Sequence, residues 1–475
     1  MSFELSILRK YLIPRKRHLS SALIACISLG VISVVVWLVL VFLSVTEGIE
    51  KTWLQKLTSL QAPIRVTPTK KYLNSRDYLV DLISHKAGYA VRSLAEKVRV
   101  SGMELYDAEV DEGLPTHWVA HEGKDPAVLA ASILEGIRGS YRGVEYAPFE
   151  MSGAILKVET GLGTTVTQAS YLASFPEEIS YMESLLLPGL LPLNENGIVI
   201  PKNLQGSGVK IGARGWIQYQ TTCAGALQEV RCPIIIAGFY DPGVIAVGNK
   251  CLLAPTSLVH LIRTASPVEH IDPTAALGFS LWHTDLSKTK RLASDLTKAL
   301  HMAGIDTYWK VSTYHDYDFS KDLVQQFHSD RLLFTFLGLI ILIVACSNIV
   351  SFLILLVQDK KKEIGILQAV GASKKSIALI FGGCGVVIGL VSSFIGTVAA
   401  FFTLRHLDAI VNFLSFLQGH PAFNPHFYGS SLPSQMSLSA LFFVAIVTPL
   451  LALIAGLIPA WKACKLSPSA TLRSE

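Results

Sequence analysis

At 475 residues, with 51% hydrophobic and 16% charged side chains and a mean hydropathy of +0.44, the chain is too apolar for an ordinary soluble enzyme. Its net charge of +5 comes without a basic-plus-aromatic recognition pattern, which argues against nucleic-acid binding. Many of the basic residues flank apolar runs instead, where they set membrane topology.

The segment 1–18 carries Arg9, Lys10, Arg15, Lys16 and Arg17. The first apolar run, Leu19–Val45, is ~27 residues long, beyond the ~7–15 of a signal-peptide core. It also lacks a small-x-small cleavage site, so it reads as an uncleaved anchor and transmembrane helix 1, 19–45.

The segment 46–331 follows, roughly 280 residues, enough for one large domain or two small ones. It opens with the strand-like Ile64–Thr67 between Pro63 and Pro68, then a helix over Asp77–Lys97 and an apolar run, Val98–Val110. Trp216–Thr222 and Pro233–Phe239 read as the arms of a hairpin about a small polar turn, Ala224–Glu229. Cys223 and Cys232 stand almost symmetrically about that turn. In an oxidising compartment they could close the hairpin with a disulfide; the alternative is two free thiols. Leu277–Trp282 reads as a strand and Ser287–Met302 as a helix with Leu292, Leu296, Ala299 and Leu300 on one face. Asp285 or Ser287 can cap its start and Gly304 its end, before a strand over Ile305–Val311. Strand-helix-strand pieces around a β-rich middle imply a porter-like α/β part carrying an insertion.

Three further spans follow at 332–357, 377–404 and 438–461, each meeting the ~20 residues a bilayer requires. Between them lie 358–376, a short loop 405–437, and the tail 462–475. Ser347 and Asn348, deep in the second span, should face other helices rather than lipid. Gly385 and Gly389 form a G-x-x-x-G in the third, suited to close helix packing within the chain or against another. The basic groups before span 1, between spans 2 and 3 and after span 4 fall on one side if each span crosses once, and that side is cytoplasmic. The fold class is therefore an α+β membrane protein: four transmembrane helices with a large extracytoplasmic α/β domain inserted between helices 1 and 2.

No G-x-x-x-x-G-K-[ST] phosphate loop is present, and the glycine-rich Gly206–Gly212 reads as a turn. The histidines lack ligand spacing; His117 and His121 are i,i+4 but in an extended stretch. No catalytic residue and no metal site is assigned. The richest local syntax lies in Asp359–Phe381. There Lys360, Lys361 and Lys362 precede a short helix whose Ile364, Ile366, Leu367 and Val370 form an apolar face. Gly371 can end that helix in a left-handed cap, and Ser373 can start the next.

The motif K-x-E-I-G-I-L-x-A-x-G-A-S-x-x-x-I, Lys361 to Ile377, resembles the coupling segment of FtsX/MacB-type ABC permeases. The tail Ile458–Arg473 resembles that family's ending, and one span, a large outer domain and three spans is its layout. Within the family, Leu43–Glu50 and Phe327–Lys362 are most similar to lipoprotein-releasing permeases of the LolC/LolE type. The resemblance implies a subunit of the bacterial inner membrane that extracts lipoproteins and passes them to a periplasmic carrier. It implies that ATP and magnesium bind a separate ATPase subunit, that a second permease subunit pairs with this one, and that no cofactor sits in this chain. It assigns ATPase coupling to Lys362, Glu363, Ile364, Gly365, Leu367, Ala369, Gly371 and Ala372. It places a carrier-docking hairpin at Thr222, Ala224, Gly225, Leu227 and Arg231. Two relatives of other function share the coupling motif: FtsX-like subunits that regulate cell-wall hydrolases, and MacB-like efflux pumps. An outer segment of roughly 280 residues favours the releasing type.

Overall fold

The computed structural model describes residues 19–100, 109–110, 113, 125–161, 163–176, 180–192, 194–223, 225–242, 250–266, 271–420 and 434–464. His117, His121, Ala224 and most of Val98–Val110 lie outside the described residues. The chain divides into two compact units, one drawn from its two ends (to Thr52 and from Gln325), the other comprising Trp53–Val324.

Helix α1 (Leu19–Gln61) comes first. The elements β1 (Ile64–Pro68), α2 (Leu94–Val100), α3 (Pro126–Ser140), β2 (Glu145–Glu159), β3 (Thr165–Ser174), β4 (Gly197–Pro201) and β5 (Arg214–Cys223) follow. Next are β6 (Ala226–Tyr240), β7 (Cys251–Ala254), α4 (Thr256–Ala265), β8 (Leu277–Trp282), α5 (Thr289–Met302) and β9 (Trp309–Thr313). The chain continues through α6 (Asp318–Asp359), α7 (Lys361–Ala369), α8 (Lys374–Arg405), α9 (Leu407–Gln418) and α10 (Leu438–Cys464).

In the Trp53–Val324 unit, β2 is the shared spine. Its first residues, Glu145–Glu150, pair antiparallel with β8, which extends through β1 to β9. The stripe Leu292, Leu296 and Leu300 of α5 and Leu134 of α3 pack on that sheet with Ile64, Val66 and Leu281. The later part of β2 pairs with β3 on one side and β5 on the other, and the order β3-β7-β4-β6-β5 returns to β2. Six strands thus close a barrel around Leu156, Leu172, Ile198, Ile217, Ile236 and Leu252, leaving those strands no free edge along the closed stretch.

Two expected elements differ. The helix over Asp77–Lys97 is instead short turns, with Gly88 and Tyr89 both at positive φ. Local propensity is overridden there by Asp81, whose carboxylate accepts from the Arg92 amide at 3.3 Å and pairs with the buried Lys97 at 3.0 Å. The strand expected from Ile305 begins only at Trp309, because Gly304 is left-handed and Tyr308 N–H turns back to the Ile305 carbonyl.

Among the described residues, four helices are long and apolar enough to cross a membrane: α1, α6, α8 and α10. A Cβ on Gly385 would lie 2.5 Å from the Ala452 carbonyl oxygen, and one on Gly389 2.7 Å from Ala452 Cβ, so the G-x-x-x-G seats α10 of the same chain. Trp37 Nε1 donates to Thr403 Oγ1 at 2.8 Å, joining α1 to α8. Ser347 and Asn348 do not face the chain's own helices. Leu342, Cys346, Ile349, Leu353 and Leu356 take the inward face of α6, and at 3.6 residues per turn this turns Ser347 and Asn348 outward. Ser347 satisfies its hydroxyl on the Val344 carbonyl at 2.7 Å. The expected loop 405–437 contains a helix of its own, α9, with Phe413 and Phe416 exposed.

Candidate functional site

The turn between α6 and α8 is built by backbone bonds that its sequence dictates. Lys360 stands at the start of α7 and its Nζ pairs with Glu363 Oε1 at 2.9 Å. At the other end Ala372 N–H donates to the Leu367 carbonyl at 2.9 Å and Gly371 N–H to the Gln368 carbonyl at 3.1 Å. That bond pair is a Schellman motif, and it requires the left-handed φ of +105° that Gly371 adopts. Ser373 then accepts from Ser376 N–H at 3.1 Å and starts α8. The result is two helices joined by four residues, Val370–Ser373, with the end of α7 and the start of α8 both capped.

The apolar positions of α7 do not share one face. Ile364 and Gly365 are buried, Ile364 within the core of α1, α6, α8 and α10, while Ile366 is 52% and Val370 83% exposed. Ile366 and Val370 are i,i+4 neighbours and sit on the side away from Ile364 at 100° per residue. The expected single face is therefore corrected to an anchor, Ile364, and an outward apolar pair. Of the other expected residues, Lys362 lies in the helix backbone, Glu363 is tied to Lys360, Leu367 supplies the capping carbonyl, Ala369 is exposed, and Ala372 closes the cap. Anchored through Ile364, α7 presents Ile366 and Val370 as an outward i,i+4 apolar pair of the kind a protein groove can take.

The hairpin of β5 and β6 is the second candidate. β5 is paired to β2 only over Gly215–Gln218, and β6 to β4 only over Ile235–Tyr240. Tyr219–Cys223 and Ala226–Val230 are thus a two-stranded ribbon projecting from the barrel. Thr222 pairs with Leu227, which is 62% exposed, next to Gly225 in the turn. Arg231 lies nearer the base, with its guanidinium 5.8 Å from the Trp216 ring. Ala224 lies outside the described residues.

The disulfide expectation is corrected by register. Cys223 is opposite Ala226, and Cys232 is opposite Ile217, so the two cysteines stand six ladder positions apart, roughly 20 Å at ~3.4 Å per residue. A disulfide needs Cα atoms within about 7 Å. Strand pairing resumes at Ala226, inside the expected turn Ala224–Glu229, so the partner of Cys223 is Ala226 and not a residue beyond Glu229. Cys232 carries a free thiol that burial pushes above its usual range. Maleimide labelling of oxidised membranes should therefore modify Cys232, whereas a peptide joining Cys223 to Cys232 would overturn the register.

One cluster had no signal in local sequence. Glu150 is 1% exposed, and its carboxylate takes Nδ1 of His260 at 2.8 Å and Nε of Arg263 at 3.0 Å. His260 Nε2 lies 2.7 Å from the Val91 carbonyl, and Arg263 Nη1 donates to the Tyr78 hydroxyl at 3.2 Å. Burial opposes charge on Glu150, but the His260 hydrogen bond and the Arg263 charge outweigh it and hold the carboxyl below its ordinary range. The cluster ties α4 and β2 to the irregular segment before α2.

Residues 335–468 match the FtsX-like permease C-terminal family, which places α7 and its cap inside the matched region. The lipoprotein-releasing system transmembrane protein LolC of Haemophilus influenzae is 27% identical over 325 residues, covering 67% of this chain and 75% of the relative. LolC of Neisseria meningitidis serogroup B is 31% identical over 256 residues, 54% of this chain and 58% of the relative. LolE of Haemophilus influenzae is 33% identical over 132 residues, 28% and 32% of the two chains.

Proposed function

We propose, from the premise that this chain carries an FtsX-like permease C-terminal domain, that it is the transmembrane subunit of an ABC transporter that extracts lipoproteins from the inner membrane towards the outer membrane. The observation that carries this reading is α7: a capped, anchored helix between two membrane-length helices, presenting Ile366 and Val370. Similarity to lipoprotein-releasing transmembrane proteins over 67% of the chain supports the cargo class.

On this reading α7 and the basic residues around it face the cytoplasm, and the Trp53–Val324 unit is periplasmic. ATP and magnesium bind a partner ATPase. Its closure pushes Glu363–Ala372 and favours one arrangement of the permease over another, which requires that the ATPase bind one state more tightly. The division between the two units falls inside α1 and α6. A second permease subunit pairs with this chain, and lipoprotein enters between spans 1 and 2 of the pair. The ribbon at Thr222, Gly225 and Leu227 is the surface offered to a periplasmic carrier.

The test is reconstitution. The chain co-purified with its ATPase and second permease subunit into proteoliposomes should release a radiolabelled lipoprotein on addition of ATP and soluble carrier. Hydrolysis without any release, across several lipoproteins, would overturn the cargo assignment.

A further inference from the structure

A cavity of about 270 Å³ lies at one end of the helical unit, where α1, α6 and α10 meet. Its walls are apolar on one side, from Leu43, Phe334 and Phe443, and charged on the other, from Glu47, Glu50 and Arg331. Glu47 is committed to the protein: it accepts from Ser437 Oγ at 2.6 Å and Ser439 Oγ at 2.5 Å, and lies 3.6 Å from Arg331 Nη2. Glu50 has no direct hydrogen bond or ion pair among the described residues, and feels Arg331 and His328 only as charges at longer range. Arg331 is 48% exposed and engages Glu47 and Ser439 through Nη2 alone, which leaves Nη1 and Nε open.

Depth fixes the chemistry of the occupant. Arg331 immediately precedes the apolar run of α6, and Glu47 and Glu50 immediately follow that of α1, so the charged wall stands at headgroup level and the apolar wall just within the hydrocarbon. At this depth the available ligands are phospholipids. A guanidinium with open donors matches a phosphate, and a carboxylate without a direct hydrogen-bond or ion-pair partner matches a primary ammonium. The volume is smaller than the ~300–1,000 Å³ of a pocket that swallows a whole ligand, so it suits a headgroup whose chains continue along the helices. We propose that this cavity binds a zwitterionic ethanolamine phospholipid, with the phosphate on Arg331 and the ammonium on Glu50. The inference needs only that the helices span a membrane, and stands or falls independently of the cargo.

The experiment uses the full chain, delipidated in mild detergent and offered palmitoyl-oleoyl phosphatidylethanolamine, phosphatidylcholine or phosphatidylglycerol, with retained lipid counted by native mass spectrometry. Ethanolamine lipid should be retained about threefold or more above choline lipid, the scale of one partly exposed charge pair. Glu50→Gln should erase that difference, and Arg331→Gln should lower retention of all three. Equal retention of the three lipids by the unmodified chain, or a preference that survives Glu50→Gln, overturns the proposal. If Glu50→Gln fails to fold, the comparison of headgroups on the unmodified chain decides alone.

Discussion

On the proposed function, replacing Gly371 with proline is expected to lower ATP-driven transport by at least ~10-fold while the chain still inserts in the membrane. Proline holds φ near −65°, whereas Gly371 stands at +105°, and proline removes the N–H that donates to the Gln368 carbonyl. Both bonds of the Schellman cap depend on that turn, so α7 loses its fixed angle to α8 and Ile366 and Val370 are no longer presented in one place. Gly371→Ala should give a milder defect, because a left-handed alanine costs about 1–2 kcal/mol but keeps its N–H. Nothing lies within 4 Å of the position where a Cβ would be built, so the effect of alanine reports backbone conformation and not a clash. Hydrolysis and lipoprotein release by the reconstituted complex are the measurements. Unchanged release per ATP in Gly371→Pro would remove α7 from the coupling path.

Glu150→Ala is expected to destabilise the Trp53–Val324 unit by about 3–5 kcal/mol, the cost of leaving buried charge without its counter-ion. The substitution strands Arg263 and takes the acceptor from His260 Nδ1. For a unit of this size the shift in thermal midpoint is on the order of 10 °C, read by protease susceptibility of the full chain on heating. Glu150→Gln should lie between, since it keeps an acceptor but loses the charge. The pH dependence follows from the same pairing. The folded carboxyl lies below its unfolded value of about 4.3, so the contribution is complete above that pH and is lost as pH falls through the lower, folded value. An unmodified protein that loses protease resistance no faster below pH 4 than Glu150→Ala would contradict this account.

Elements set by neighbours in the chain were legible before any tertiary structure. The four membrane-length helices follow from hydropathy alone. The cap at Gly371 and the start at Ser373 follow from the residue types that those backbone positions require. The stripe Leu292, Leu296 and Leu300 and the strand Leu277–Trp282 were equally clear, because each periodicity is complete within one segment. The segment Asp77–Lys97 departs from the expected helix for the opposite reason. Its local preferences are helical, but Asp81, Arg92 and Lys97 bond across the segment and break it.

By itself, then, the sequence determined that this protein is a set of apolar spans interrupted by one large mixed unit and one capped, basic turn. Hydrophobic length and helix capping act over a few residues and need no distant partner. Tertiary structure alone decided which positions of that turn are free: Ile364 is drawn into the helical core and Ile366 and Val370 are left outside. It also decided that β2 is shared between sheet and barrel, that hairpin pairing resumes at Ala226 and separates Cys223 from Cys232, and that Glu150 meets Arg263 across 113 positions. Register and buried charge pairing depend on residues far apart in the chain, and only the folded chain brings those partners within bonding distance.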